Sequence, residues 1–270
     1  MPCSMLRPDM CRSGGYRERG IWGLDGYQAE FAVDSESWIV RVPPELADVG
    51  VLAEPLSVVE KAIDELVRAQ FSRLPDAQAT PAWLSGRRCL VSGLGPIGLL
   101  AAMVLRLRGA EVFGLDIVPE DSPRPQWLKQ IGGRYANGND LPADKIDDVL
   151  GPMDVIVEAT GVSKLAFNLL DALAPDGIYA LTGIPGGDRP LQISGNEILR
   201  RLVLQNQLMF GSVNAARDHF QMGVDDLALA RLVWRDHVDG LITHRHSYKD
   251  FGAALAQHHD DEIKTVIEWT

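Results

Sequence analysis

The chain has 270 residues, 46% of them hydrophobic and 23% charged, with a formal net charge of −11. That size and balance suit one large globular domain or two moderate ones, and the acidic surplus excludes a non-specific nucleic-acid binder, which needs a basic footprint. No apolar run reaches transmembrane length, Arg7, Asp9, Arg12, Arg17 and Glu18 break up any signal-peptide core, and the three cysteines point to a reducing, cytoplasmic compartment.

Residues 1–27, rich in Gly, Arg and Pro, read as a loop-like lobe. It holds Cys3 and Cys11, which are accidental thiols, a disulfide or part of a metal site. Short strands are expected near Gln28–Val33 and Trp38–Arg41, bounded by Asp25-Gly26 and Pro43-Pro44. A helix follows from about Glu54 to Arg68, with Leu56, Val59, Ile63 and Leu66 at helical spacing and the acidic residues expected on the other face. Residues 70–86 form a connector with two prolines.

From Arg88 short apolar strands alternate with amphipathic helices, the pattern of a parallel sheet covered on both faces. The strands are "CLVSG", "EVFGLD", "DVIVEATG", "IYALTG" and "LMFGSV". The helices are "PIGLLAAMVLRLRG", "PQWLKQIGG", "KLAFNLLDALAPDG" and Asn196–Val203. Residues 215–234 look helical, with Gly223 as a point where the helix could break. The end reads strand, helix, strand, with Asp260-Asp261 turning into the last strand.

The stretch "VSGLGPIG" carries Gly93, Gly95 and Gly98 as G-x-G-x-x-G between a strand and a helix. Gly93 permits the tight turn, Gly95 lets the backbone approach a pyrophosphate, and Gly98 lets the helix pack close to the sheet. Pro96 suits the first helical turn, where no N–H is needed, and Ile97 completes the cradle at the helix N-terminus, which favours anions. The next strand ends at Asp116, placed to bind ribose hydroxyls or simply to cap its loop. No Arg or Lys follows immediately, which favours NAD over NADP, although Arg124 could still accept a phosphate. Thr160, Gly161, Gly183 and Ile184 end two later strands and are candidates for the nicotinamide half of the site or ordinary strand-end turns.

All six histidines, His219, His237, His244, His246, His258 and His259, lie in the last fifth of the chain. His244 and His246 would face one side of a strand, but no Cys, Asp or Glu is expected to complete a metal set nearby, so they read as surface or structural residues.

The chain resembles the zinc-dependent medium-chain dehydrogenases, most closely their archaeal-type glucose dehydrogenase branch. The resembling stretches are "RERGIWGLDGYQAEF" (17–31), "VLAEPLSVVEKA" (51–62), "GLGPIGLL" (93–100), "VIVEATG" (155–161), "GSVNAARDHF" (211–220) and "EIKTVIEW" (262–269). The resemblance implies an α/β fold: a Rossmann-type doubly wound parallel sheet plus remnants of a GroES-like β-barrel. It implies a partial catalytic domain over 1–53, a dinucleotide-binding domain over 54–212 and a C-terminal return to the catalytic domain over 213–270. The implied reaction is NAD(P)-dependent oxidation of glucose or a related aldose at C1 to the lactone, with zinc as Lewis acid. The alternatives are another medium-chain alcohol or polyol dehydrogenase, or a non-catalytic NAD-binding protein.

Carried over residue by residue, Glu54 matches a carboxylate near the catalytic zinc, although by itself it reads as an acid at a helix N-terminus. Glu18 matches a sugar-binding glutamate and otherwise reads as a solvated loop acid. Asn214 of "GSVN" matches an asparagine near substrate and nicotinamide, with Ser212 and Val213 beside it; by itself it reads as a loop or cap residue. Cys3 and Cys11 match the last two of four cysteines around a structural zinc. The family's other zinc ligands, a Cys and a His-Glu pair, would lie in a preceding piece on the order of 100 residues. The expectation is a chain that starts within the enzyme, binds the dinucleotide, turns sugar over little, and exposes apolar edges where barrel partners are missing. The resemblance also implies a homodimer or homotetramer, with no nucleic-acid or membrane partner.

Overall fold

The computed structural model describes residues 2–77, 80–187, 190–257 and 259–269. The N-terminal lobe carries only a two-residue pairing, β1 (Glu18–Arg19) with β2 (Gly23–Leu24), besides short 3-10 turns. The strands expected at Gln28–Val33 and Trp38–Arg41 do not form; the backbone there is coil with a single 3-10 turn at Glu36–Trp38. A strand needs a neighbouring ladder to bond its N–H and C=O groups, and none lies beside this segment. Phe31 and Val33 are accordingly 82% and 91% exposed.

Helix α1 (Ala53–Arg73) is longer than expected. It is followed by β3 (Arg88–Ser92), α2 (Pro96–Leu107), β4 (Glu111–Asp116), α3 (Pro123–Gln130), β5 (Arg134–Asn137), α4 (Ile146–Leu150), β6 (Met153–Glu158), α5 (Ser163–Asn168), β7 (Leu173–Leu181), α6 (Gly195–Leu204) and β8 (Leu208–Gly211). The six strands β3 to β8 form one all-parallel sheet in the order β5-β4-β3-β6-β7-β8. The chain moves outward from β3 in one direction, then returns to add β6 on its other side. That reversal opens a crevice at the carboxyl ends of β3 and β6, where such sheets bind ligands. The short strand β5 and helix α4 have no counterpart among the expected elements. The helix expected over "KLAFNLLDALAPDG" is cut short at Asn168, because Leu173–Gly177 already belong to β7.

Side-chain alternation along the strands divides the core. Cys89, Val91, Val112, Val155 and Val157 face α1, α2 and α7 (Arg217–Trp234), whereas Leu90, Phe113, Leu115, Ile156 and Tyr179 face α4 and α5. The apolar central runs of β3, β4 and β6 follow from burial on both sides. Helix α7 runs through Gly223 without a break. This glycine lies on α1, where an added Cβ would sit 3.4 Å from Leu56 and 3.5 Å from the Ala53 carbonyl. Those are ordinary contact distances, so the glycine neither ends the helix nor is required by its packing.

Helix α1 departs from expectation in one more way. Glu60 is fully buried, between α1, α2 and α7, so the acidic residues do not all lie on the solvent face. Arg108 approaches it at 3.8 Å but pairs more closely with Asp226, at 2.7 Å. Burial and then the neighbouring Asp226 charge push the Glu60 carboxyl well above the usual range.

After α8 (Asp236–Asp239), the chain forms β9 (His244–Ser247), α9 (Phe251–Ala256) and β10 (Thr265–Glu268). Strands β9 and β10 pair in parallel across α9 as a separate two-stranded sheet.

Candidate functional site

At the end of β3 the chain turns at Gly93, whose φ is +87° and whose missing Cβ would lie 2.8 Å from the Thr160 side chain. A Cβ on Gly98 would sit 1.7 Å from the Gly93 carbonyl oxygen, so α2 can start this close to the sheet only with glycine there. Gly95 differs. It caps α2, and nothing lies within 4 Å of the position its Cβ would take. That open side is the cradle a pyrophosphate requires, over the free N–H groups of the helix that begins at Pro96. Ile97 packs partly against the core beneath it.

Asp116 ends β4 with one carboxylate oxygen accepting from Leu94 N at 2.6 Å and the other from Ile117 N at 2.7 Å. It therefore caps the glycine loop, yet each oxygen keeps a further lone pair. Gly93, Gly95, Asp116, Arg124 and Thr160 line one cavity of about 470 Å³, closed on its apolar side by Leu115, Leu141 and Leu165. Arg124 donates from Nε and Nη2 to the Glu262 carbonyl, at 3.2 and 3.1 Å. Glu158, buried at the end of β6, accepts from Thr160 N at 2.6 Å and Gly161 N at 3.1 Å, which shapes the next turn. Gly161, at φ +68°, leaves room for the Ile184 carbonyl, and Gly183 packs against the Gly161 backbone. The Ile184 side chain is 79% exposed.

A second cavity, of about 350 Å³, brings Glu18, Glu54 and Asn214 together with Tyr16, Arg17 and Phe220. Asn214 adopts φ +62° and donates from Nδ2 to Glu18 Oε1. The loop that carries it leaves β8 at the carboxyl edge of the sheet, the same edge as the glycine turn. Lys61 donates from Nζ to the Val213 carbonyl at 2.7 Å and pairs with Asp9 at 3.0 Å. Ser212 donates to Glu65 at 3.0 Å. Arg7 completes this set, 2.7 Å from Asp9 and 3.6 Å from Glu65. Burial alone would raise the Asp9 carboxyl, but its hydrogen bonds and charge pairing with Arg7 and Lys61 hold it at about 2. Sequence reading missed Asp9, Lys61 and Glu65 as supports of the 212–214 loop. The one available signal was a lysine among the core-facing positions of α1.

Residues 47–269 match the family described as glucose dehydrogenase C-terminus. The chain belongs to the glucose dehydrogenase family. It is 39% identical over 263 residues to glucose 1-dehydrogenase 2 of Vulcanisaeta moutnovskia, covering 97% of this chain and 71% of that one. Over 265 residues it is 40% identical to glucose 1-dehydrogenase 1 of Caldivirga maquilingensis, with the same coverage. Its fold superposes on the Haloferax mediterranei glucose dehydrogenase solved with NADP, zinc and gluconolactone, with a TM-score of 0.88 and 30% identity over 100% of this chain and 72% of that one. The Rossmann-type sheet of the family is thus the sheet formed by β3 to β8.

The family context leaves the metal question to this chain's own ligands. Cys3 and Cys11 are free thiols, and hydrogen bonding to Ser13, with a smaller contribution from Cys3, holds Cys11 below the usual thiol range. A closed structural zinc site takes four ligands and a catalytic one three. Among the described residues, no group of three His, Cys, Asp or Glu ligands includes Cys3, Cys11 or Glu54. Cys89 is fully buried in β3, and burial pushes its thiol up. The described residues therefore do not by themselves hold either zinc. The one group among them that could share an ion is His244, His259 and Asp261, which corrects the expectation that no acid approaches His244. His258 lies outside the described residues. No helix among them is long and apolar enough to cross a membrane.

Proposed function

We propose that the chain carries the dinucleotide- and sugar-facing half of an NAD(P)-dependent aldose dehydrogenase, which oxidises glucose or a close relative at C1. The hydride from C1 passes to the nicotinamide and the hydroxyl proton leaves the oxygen, which yields the lactone. The observation that supports this most is the convergence of Glu18, Glu54 and Asn214 on one cavity beside the loop leaving β8. Carboxylate and amide groups lining one cavity suit the hydroxyls of a sugar. In this reading Gly93, Gly95, Pro96, Ile97 and Gly98 hold the pyrophosphate, Asp116 the adenine ribose, and Thr160, Gly161, Gly183, Ile184, Ser212 and Val213 border the nicotinamide. Glu54 is the residue this chain offers toward zinc, and Cys3 with Cys11 the pair it offers to a structural zinc.

Asp116 favours NAD, because a 2'-phosphate would meet its carboxylate while Arg124 is already engaged with Glu262. With no three-ligand group around Glu54 among the described residues, the 270-residue chain should bind coenzyme and sugar with little turnover; zinc-dependent glucose oxidation by this chain would contradict that. The test is a titration of NADH and NADPH by fluorescence, followed by gluconolactone added to the NADH complex. NADH should bind more tightly than NADPH, and the lactone should perturb the bound NADH signal. Glu18→Gln should weaken the lactone response while leaving NADH affinity unchanged. A lactone response indifferent to Glu18→Gln would remove the sugar from this cavity.

A further inference from the structure

Strand β9 and the turn before β10 assemble a group of ligating side chains, none of which lines either cavity. His244 Nε2 lies 3.1 Å from Asp261 Oδ1. The His259 ring stacks on the His244 ring, with centroids 4.3 Å apart and planes inclined by 21°. One ligand atom from each of the three residues lies within 4.8 Å of the others. His246 shares the strand face of His244 but is not part of this group; the second imidazole comes from the turn instead.

The backbone holds this arrangement on both sides. Thr243 N donates to the Lys264 carbonyl at 3.0 Å, Ile263 N donates to Thr243 Oγ1 at 3.0 Å, and Glu262 N donates to the His259 carbonyl at 3.0 Å. The turn is anchored to α3 through Arg124 and the Glu262 carbonyl. The segments that carry the three ligands are therefore fixed relative to one another before any ion arrives.

We propose that His244, His259 and Asp261 form a surface site for a divalent transition-metal ion, of the zinc, nickel or copper class. Two imidazoles and one carboxylate suit these ions better than magnesium or calcium, which prefer all-oxygen sets. For bonds of about 2.0–2.2 Å, adjacent ligand atoms stand roughly 2.9 Å apart on an octahedron and roughly 3.4 Å on a tetrahedron. The His244–Asp261 separation of 3.1 Å falls between these, so an ion can replace the shared proton with little movement. His259 is exposed and swings off its stack to supply the third ligand, with water in the remaining positions. The ion then clips the start of β9 to the turn into β10. This site stands apart from the coenzyme reading, and neither result decides the other.

The test uses the tag-free 270-residue chain with Cys3→Ser and Cys11→Ser, so that thiols do not compete, after chelator treatment and desalting. Zinc chloride is titrated by calorimetry, and the thermal midpoint is followed with and without zinc. One equivalent should bind and raise the midpoint. His244→Gln and Asp261→Asn should each weaken binding at least tenfold, while His246→Gln leaves it unchanged. All three positions lie on a small surface unit, and circular dichroism checks that each variant folds. Absence of zinc binding, or binding that persists equally in His244→Gln and Asp261→Asn as an adventitious ion only, would overturn the site.

Discussion

Gly95 and Gly98 stand three positions apart and answer to different constraints. Gly98 has no space for a Cβ, with the Gly93 carbonyl at 1.7 Å, so Gly98→Ala must push α2 from the sheet. We expect it to lower stability by about 2 kcal/mol, in the range of overpacked cores, read as a drop in the denaturant midpoint. Gly95 faces open space, so a larger side chain there fills the ligand's place and not the protein's. The G-x-G-x-x-G spacing made these positions legible, because the turn, the phosphate approach and the helix contact are all local. The buried Lys61–Asp9 pair was not legible in the same way: its partners Asp9 and Val213 come from opposite ends of the chain, with Lys61 and Val213 separated by 152 positions. Lys61→Met strips Asp9 of one of its two cations in a buried setting. It should cost about 3 kcal/mol and loosen the 212–214 loop, measured by chemical denaturation and by hydrogen exchange at Val213.

Between α1, α2 and α7, two features carry opposite signs for stability. Gly223 lies in the helix interior with ordinary contact distances around its missing Cβ. Gly223→Ala should therefore stabilise α7 by up to about 1 kcal/mol, seen as a higher thermal midpoint. Glu60 has its native carboxyl pushed upward, so the folded state holds its proton over an interval where the unfolded chain has released it. Stability from this group is complete below the ordinary carboxylate range and declines as pH rises above it. Glu60→Gln should flatten that decline, leaving the variant more stable than the parent at pH 8 but not at pH 4, in paired thermal melts. The strongly apolar strands β3, β4 and β6 were legible from their runs, because both of their faces are buried. Strand β5, only "RYAN", has too little apolar pattern to declare itself, and its pairing with β4 comes from position alone. The start of β7 was hidden by Pro175 and Gly177, which read as a helix end. The segment 28–41 shows the reverse case: its residues favour strands, but strand formation depends on a partner that the local sequence does not contain.

At the scale of the whole molecule, the doubly wound sheet was legible from its alternation, and the family from stretches spread along the chain. The meeting of β9 with the 259–261 turn was not, because it depends on a tertiary return over α9. The lobe and the linker leave Met5, Ile21, Trp22, Phe31 and Val33 largely exposed. Exposed large apolar side chains in such number attract hydrophobic dyes and self-association. We expect strong dye fluorescence and a concentration-dependent sedimentation profile; a dye-silent monomer would show the surface to be covered. The central claim is that the sheet and its glycine turn form a working dinucleotide site in this chain. Its most direct measurement is an NADH fluorescence titration of the parent and of Gly95→Val, with circular dichroism on both. The account predicts saturable NADH binding by the parent and at least tenfold weaker binding by a Gly95→Val variant that remains folded. Equal NADH affinity in the two folded proteins, or no saturable binding by the parent, would contradict it.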